Sequence, residues 1–331
     1  MAATPVRVEH VACDACGRET KTVPFATGRD FEYDTCPNGF RFVRCSVCSL
    51  VFLDPRPTAD ELERIYPPEY EPFHFGTTSN PFVRIGRTAV QRRKVRTIAR
   101  FAPRDAQILD AGCGSGELLR LLRAHGPRGW RLYGNDASEL ALGRVRGLGF
   151  PVLPGRIEEL TTDRRFDLVI LNQTLEHLAS PERVLERIAA ITVPGGYLLV
   201  ETPSLEGLDA RAFRRRHWGG YHFPRHWTLF DARTLAAAVR RHGYDVVEVA
   251  YLPSPAFWCQ SVHHTWLERG LARYAAGFWT INNPIPLAAF TLLDLALGRF
   301  RPTSTMRLAA RLGSEVSELR VDDDQVEKVA G

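Results

Sequence analysis

The sequence predicts an α/β protein whose parallel sheet is covered by helices on both faces. Three observations lead there. Between residues 105 and 254, short β-branched runs alternate with amphipathic helical stretches, the pattern that builds βαβ units. Apolar residues make up 44% of the 331-residue chain and charged residues 24%, ordinary values for a chain that buries a core. The glycine-rich run Gly112-Cys113-Gly114-Ser115-Gly116 joins the first strand of the series to its first helix.

The elements follow in order. Residues 1–57 read as a small cysteine-rich module with β-like runs at 40–43 and 50–53, closed by Pro55-Arg56-Pro57. Residues 58–104 read as a helical linker or lid. A short helix starts there with Thr58 as N-cap and Glu61 in the capping-box position, and Pro67-Pro68 stops it. A second helix spans 81–101, with Phe82, Ile85, Ala89, Val95 and Ile98 near helical spacing among many Arg. Strands are expected at 107–111, 131–135, 150–153, 166–171, 196–201 and 244–251, with helices at 116–125, 138–148, 181–191 and 231–241. Residues 255–300 break the rhythm as an apolar helical insertion or cap. Residues 301–313 return to the 105–254 domain through an edge strand at 304–312, and 314–331 form a polar, flexible tail.

Charge and composition exclude several classes. A net charge of +5 is too small for a protein that coats polyanions. No run of 18 apolar residues occurs, so no membrane-spanning helix is expected. The first residues lack the apolar core of an export signal, which makes the cytoplasm the expected compartment.

The glycine loop carries the chemistry. Its pattern is D-x-G-x-G-x-G, with Asp110, Gly112, Gly114 and Gly116. Glycines let backbone approach a ligand, and the following helix N-terminus favours polar or anionic groups. A dinucleotide fingerprint would need a third glycine where this chain has Glu117, which speaks against a nicotinamide cofactor. Asp136 lies 20 residues after Gly116, at the end of the second strand, where a carboxylate can accept from ribose hydroxyls.

This combination resembles class I S-adenosylmethionine-dependent methyltransferases. The resemblance continues through Phe166-Asp167-Leu168-Val169-Ile170, Leu175-Glu176-His177-Leu178 and Pro194-Gly195-Gly196-Tyr197-Leu198-Leu199-Val200. It covers roughly residues 100–254, with 304–312 as the closing antiparallel strand, and it implies a Rossmann-like seven-stranded sheet. It also implies S-adenosyl-L-methionine as cofactor. Asp110 and Gly112, Gly114 and Gly116 would hold the methionine part and Asp136 the ribose. Ala137 and Ile157 would flank the adenine, with Glu158 beside them, and Asn172 would sit near the cofactor.

Four of the seven cysteines form two C-x2-C pairs, Cys13/Cys16 and Cys45/Cys48, with 28 residues between them. Each pair places two thiolates on one turn at a bite suited to tetrahedral zinc, and four such ligands leave no open position, so the zinc would be structural. Disulfides or free thiols are the alternative. Cys36 is left over as a buried thiol or alternative ligand, and no catalytic metal site is visible. A zinc ribbon ahead of a methyltransferase core resembles a bacterial group that includes sugar C-methyltransferases acting on nucleotide-linked keto-sugars. The run from Arg44 to Pro57 and the run from Ile65 to Tyr70 match that arrangement. A tyrosine there lines the acceptor pocket in the group, a part that Tyr66 or Tyr70 would take.

A general base should sit at the carboxyl ends of the strands, beside the cofactor. His177 qualifies, as do His222 and His226 in the aromatic loop from His217 to Phe230. Trp218, Tyr221 and Arg225 of that loop would form the acceptor wall. The sugar C-methyltransferases carry a Glu-His pair here. This chain has Arg225-His226, so His226 matches, the glutamate does not, and Arg225 would suit a phosphate or carboxylate on the acceptor.

The expected function is therefore S-adenosylmethionine-dependent methylation, on carbon or oxygen, of a small molecule or a sugar, free or nucleotide-linked. Two rivals remain. Arg84, Arg87, Arg92, Arg93, Lys94, Arg96 and Arg100, with Arg214-Arg215-Arg216, could serve an RNA methyltransferase. The compact aromatic loop and the lack of a separate RNA-binding domain speak against nucleic acid. A non-catalytic zinc-ribbon binding protein is opposed by the intact Asp110, glycine and Asp136 set. Residues 278–297 are apolar, but Asn282, Asn283, Pro284, Pro286 and Asp294 oppose a span. They read as a cap over the active site or a dimer surface, with peripheral membrane contact as the alternative. Oligomeric state is not legible.

Overall fold

The alternation at 105–254 resolves into a seven-stranded sheet. The computed structural model describes residues 4–17, 20–67, 81–271 and 276–313. Tyr70, the side chains of Arg84 and Arg87, and the tail at 314–331 lie outside the described residues.

In chain order the cysteine-rich module supplies β1 (Val8–Glu9), β2 (Thr22–Gly28), β3 (Phe40–Cys45), β4 (Val51–Leu53) and β5 (Arg56–Pro57). Helices α1 (Leu62–Ile65) and α2 (Pro81–Ile98) follow. The core then runs β6 (Gln107–Ala111), α3 (Glu117–His125), β7 (Arg131–Asp136), α4 (Glu139–Gly147), β8 (Val152–Pro154), β9 (Phe166–Asn172), α5 (Pro181–Ile191) and β10 (Thr192–Pro203). The second half adds α6 (Leu208–Ala212), β11 (Thr228–Leu229), α7 (Ala232–Arg241), β12 (Tyr244–Leu252), α8 (Pro255–Glu268), α9 (Pro284–Leu297) and β13 (Thr305–Leu312).

The large sheet has the order β12-β13-β10-β9-β6-β7-β8. Strand β13 inserts antiparallel to both neighbours, so the sheet is mixed, while β10, β9, β6, β7 and β8 pair in parallel. Side chains alternate faces along each strand. Leu109, Ala111, Val169 and Leu171 face a cluster with Leu185 and Ile188 of α5 and Leu235 and Val239 of α7. Ile108, Leu168 and Ile170 face the other cluster, with Val95 and Ile98 of α2, Leu119 and Leu122 of α3 and Val145 of α4. Burying such an aliphatic side chain is worth roughly 1.5–3 kcal/mol, which is why the period-two and helical patterns were legible.

The cysteine-rich module is not a bead on a string. Cys13, Val43, Cys45, Leu50 and Phe52 belong to the same apolar cluster as α5 and α7. Its sheet has the order β11-β4-β3-β2, so residues 228–229 of the core complete it, with Thr228 opposite Phe52 and Leu229 opposite Val51. Asp14, inside the first Cys pair, accepts from the Ser180 hydroxyl at 2.6 Å and the Glu182 N–H at 2.8 Å. It thereby caps α5, whose own N-cap residue Ser180 makes no side-chain cap bond.

Three local expectations change. Thr58 forms no cap bond, and its hydroxyl oxygen is buried without a partner. Glu61 is drawn instead to Arg7 and Arg64, at 3.1 and 2.6 Å, because two guanidinium groups outcompete one backbone amide. Strand β10 begins at Thr192, not at 196, because the turn at Gly195 (φ +78°) is accommodated as an irregularity inside the strand. Strand β8 starts at Val152 because Pro151 has no N–H to give the ladder.

Candidate functional site: a glycine cradle beside a histidine cluster

The chain leaves β6 toward β7 and β8 on one side and returns to β9 and β10 on the other. That reversal opens a crevice outside the carboxyl ends of β6 and β9. Gly112, Gly114 and Gly116 turn the chain there with φ of +77°, +50° and +78°, values that favour glycine. A Cβ on Gly112 would meet Thr174 at 2.3 Å, whereas one on Gly114 would meet nothing within 4 Å, so the loop keeps one open flank. The Gly112 and Cys113 N–H groups both donate to the Asn135 carbonyl at 2.8 Å, which fixes the loop against β7.

Asp136 accepts from the Gly114 N–H at 2.9 Å with one oxygen and from the Ser138 N–H at 2.8 Å with the other. Each carboxylate oxygen has a second acceptor site, which a ribose hydroxyl could use. Asp110 is 2% exposed, and burial pushes its carboxyl up to about 7, Asp136 adding to the rise and Lys94 opposing it. Asn172 closes β9, where its side-chain Oδ1 accepts from Lys94 Nζ at 2.5 Å. Lys94 also pairs with Glu201 of β10 at 2.9 Å. Ala137 is exposed at the mouth, while Ile157 is 4% exposed and packs in the apolar cluster with α5. Glu158 pairs with Arg156 at 2.7 Å.

The three sequence-predicted histidines meet. Ring centroids lie 4.6 Å apart for His177 and His226, 5.0 Å for His222 and His226, and 6.2 Å for His177 and His222. His226 is 5% exposed, with Nδ1 2.8 Å from the Gly220 carbonyl. His177 Nδ1 is 3.1 Å from the Arg225 carbonyl, with the Tyr66 hydroxyl 3.0 Å away. A carbonyl only accepts, so both Nδ1 atoms carry the proton and both rings keep a lone pair at Nε2. Burial, reinforced by the neighbouring imidazoles, lowers both: His177 falls to about 3 and His226 well below its ordinary value.

His222 differs. Its backbone is left-handed (φ +41°), and its Nδ1 lies 2.6 Å from Glu32. Burial works to raise the Glu32 carboxyl, but the His222 ring beside it outweighs burial and holds the group below its usual range. Beneath the histidines, Glu176 is fully buried, accepts from the Thr202 hydroxyl at 2.9 Å and keeps its other oxygen without a partner. Burial pushes its carboxyl up to about 8. Ligand atoms of Glu176, His177 and His226 lie within 4.8 Å of one another, close enough to hold one cation between them.

The remaining wall residues are engaged inside the protein. Arg225 and Asp30 form an ion pair at 2.8 and 3.1 Å with both side chains 0% exposed. Trp218 donates from Nε1 to Asp209 at 3.0 Å, and the Tyr221 hydroxyl donates to the Arg214 carbonyl. Both rings are 1% exposed, 5.1 Å apart, and form a floor under the loop.

Sequence reasoning missed Asp30, Glu32, Lys94 and the placement of Glu176 beside His226. Lys94 was visible only as one member of a basic run. Asp30 and Glu32 sit in the cysteine-rich module, Asp30 lying 195 residues from its partner Arg225, where no local pattern links them to the loop.

The four cysteines converge. Cys13 and Cys48 sulfurs are 3.5 Å apart, Cys16 and Cys45 sulfurs 3.8 Å, and all four lie within 4.8 Å of one another. Disulfide sulfurs sit about 2.05 Å apart, whereas tetrahedral zinc with 2.3 Å bonds separates its sulfurs by about 3.8 Å. The donor set therefore fits zinc. Cys36 lies elsewhere, buried with Phe40 and Phe42.

Residues 86–249 match the family model of a methyltransferase domain. A tRNA U34 carboxymethyltransferase of Idiomarina loihiensis is 35% identical over 155 residues, covering 43% of this chain and 46% of that protein. A ubiquinone biosynthesis O-methyltransferase of Coxiella burnetii is 34% identical over 102 residues, covering 29% of this chain and 42% of that protein. The chain thus spans less than half the length of these curated relatives. The solved structure of a SAM dependent methyltransferase from Archaeoglobus fulgidus overlays with a TM-score of 0.46 at 18% identity, covering 70% of this chain and 100% of that one.

Proposed function

We propose, for a chain whose residues 86–249 are a methyltransferase domain of the S-adenosylmethionine-dependent class, that it methylates carbon or oxygen of a small-molecule or sugar acceptor with a histidine as general base. The observation that carries this reading is the His222–Glu32 pair at 2.6 Å, set among His177 and His226.

Bound S-adenosylmethionine supplies an electrophilic methyl group on sulfur. Asp136 and the open flank of Gly114 suit its ribose and backbone-contacting parts, and the Asp110 carboxyl suits a cationic group. Methyl transfer is an in-line displacement, so the protein's work is to align the acceptor and take its proton. His222 takes the proton at Nε2, while Glu32 holds Nδ1 and stabilises the imidazolium that results. His226, which matches the histidine of the Glu-His pair, has no carboxylate on Nδ1. It serves with His177 as a neutral, oriented ring that accepts from or packs on the acceptor. Tyr66 closes the same space from the linker.

The buried setting of the histidines favours a compact acceptor over an RNA helix. The Arg214-Arg215-Arg216 run supports this, since Arg216 is already paired with Glu268. A four-thiolate zinc would hold the module that brings Asp30 and Glu32 to the site.

The test has two steps. Calorimetry should detect S-adenosylmethionine binding, and labelled methyl donor should mark an acceptor in a pool of small molecules and nucleotide-sugars. Label entering bulk RNA instead, or no cofactor binding, would overturn the reading.

A further inference from the structure

Seven of the thirteen exposed large apolar side chains among the described residues fall between positions 271 and 300. Most sit on or beside α9. Its inner face is Pro286, Phe290 and Asp294, spaced by four residues. Phe290 stacks on Trp258 of α8 at 5.3 Å, and Asp294 accepts from Trp258 Nε1 at 3.0 Å and from the Ser254 N–H at 2.6 Å. The one charged residue of α9 is thus turned inward and satisfied.

The outer face is apolar as well. Ile285 is 65% exposed, Leu292 67%, Leu293 38% and Leu295 43%, and Ala288, Ala289 and Ala296 are exposed between them. Phe300, 86% exposed, extends the face past the helix end. A helix that is apolar all round wants a second partner for its outward side.

We infer that this face of α9 docks on an anionic lipid surface. Charge selects that occupant. Arg299 and Arg301 flank Phe300 and are exposed, as is Arg269 at the end of α8. No acidic side chain lies on the outer face. An apolar stripe edged by Arg suits acyl chains below and phosphate headgroups around it. A second copy docked through the same face would bring these Arg edges together with no carboxylate on α9 to answer them.

Length fixes the mode of contact. The 14 residues of α9 span about 21 Å, short of the roughly 30 Å hydrocarbon layer, and no helix among the described residues is long and apolar enough to cross a membrane. The helix lies in the plane of the interface. Helix α8 separates it from the histidine loop, to which Ser261 is bonded through the Gly219 N–H at 2.8 Å. Docking would therefore set the acceptor site one helix layer from the lipid.

Co-sedimentation of the full chain with vesicles tests this. Phosphatidylcholine vesicles containing about a third phosphatidylglycerol should retain the protein, and pure phosphatidylcholine should retain it at least 10-fold less. Leu292→Glu and Ile285→Glu, both at exposed positions, should each weaken retention at least 10-fold with the circular dichroism melt unchanged. Arg299→Ser with Arg301→Ser should remove the preference for the anionic lipid. No sedimentation with either vesicle, equal sedimentation of the Glu variants, or a dimer in ultracentrifugation that Leu292→Glu dissolves would overturn the inference.

Discussion

His222 Nδ1 lies 2.6 Å from the Glu32 carboxylate, although the two residues are far apart in the sequence. The cysteine-rich module therefore contributes directly to the histidine site. If His222 is the base, His222→Ala should lower kcat by about 10²- to 10⁴-fold, the usual worth of a positioned proton acceptor. Glu32→Gln keeps the shape and removes the charge, so it should lower kcat with the dissociation constant of S-adenosylmethionine unchanged. The same loss on His226→Ala but not on His222→Ala would assign the base to His226.

Asp110 gives a pH dependence. Burial chiefly raises its carboxyl from 3.8 to about 7. A raised acid binds its proton more tightly in the folded state, so its contribution to stability is present below the ordinary value and lost as pH rises through about 7. A cationic ligand prefers the ionised form, so cofactor affinity should rise as pH passes from 6 to 8. Asp110→Asn should bind more weakly and flatten that rise. Calorimetry at three pH values checks both, and a flat wild-type profile would remove the assignment.

The legible part of this molecule was periodic and local. Strand β6, the glycine loop and α3 are contiguous, and α5 at Pro181–Ile191 coincides with its sequence range because Pro181 marks its start and its apolar residues recur at helical spacing. The two C-x2-C turns declared themselves for the same reason. Pairings made by the tertiary fold were not legible. Asp30 reaches Arg225 across 195 residues, and Asp14 caps α5 across more than 160. Thr58 and Glu61 had the right spacing for a capping box, but a carboxylate takes guanidinium partners when the fold offers them, and here it offered Arg7 and Arg64.

The Asp30–Arg225 pair should behave as a buried ion pair. Arg225→Met would leave the Asp30 carboxylate buried without its cation, held only by backbone N–H groups and the Thr35 hydroxyl, a loss of about 3–5 kcal/mol in urea unfolding. Adding Asp30→Asn to it should recover most of that. Burial works to raise the Asp30 carboxyl, but Arg225 outweighs it and brings the group from 3.8 to about 2. The pair's stabilisation is therefore present above pH 4 and lost as pH falls through about 2. A double variant no more stable than Arg225→Met would mean that the two charges are not energetically coupled.

Zinc content and the Asp14 cap separate what the metal holds from what the protein holds. If Cys13, Cys16, Cys45 and Cys48 close one site, metal analysis should find about one zinc per chain, and Cys13→Ser or Cys45→Ser should lose it. Chelation should then loosen β4, which is bonded to β11 directly after the histidine loop, so the loss should reach the active site as lower turnover as well as a lower melting temperature. Asp14→Ala removes no ligand. It takes the carboxylate from the start of α5 and should cost about 1 kcal/mol, the worth of an N-cap, at full zinc occupancy. Zinc retained in both Cys variants would refute the four-thiolate site, and zinc lost in Asp14→Ala would mean that the cap and the metal turn fold as one unit.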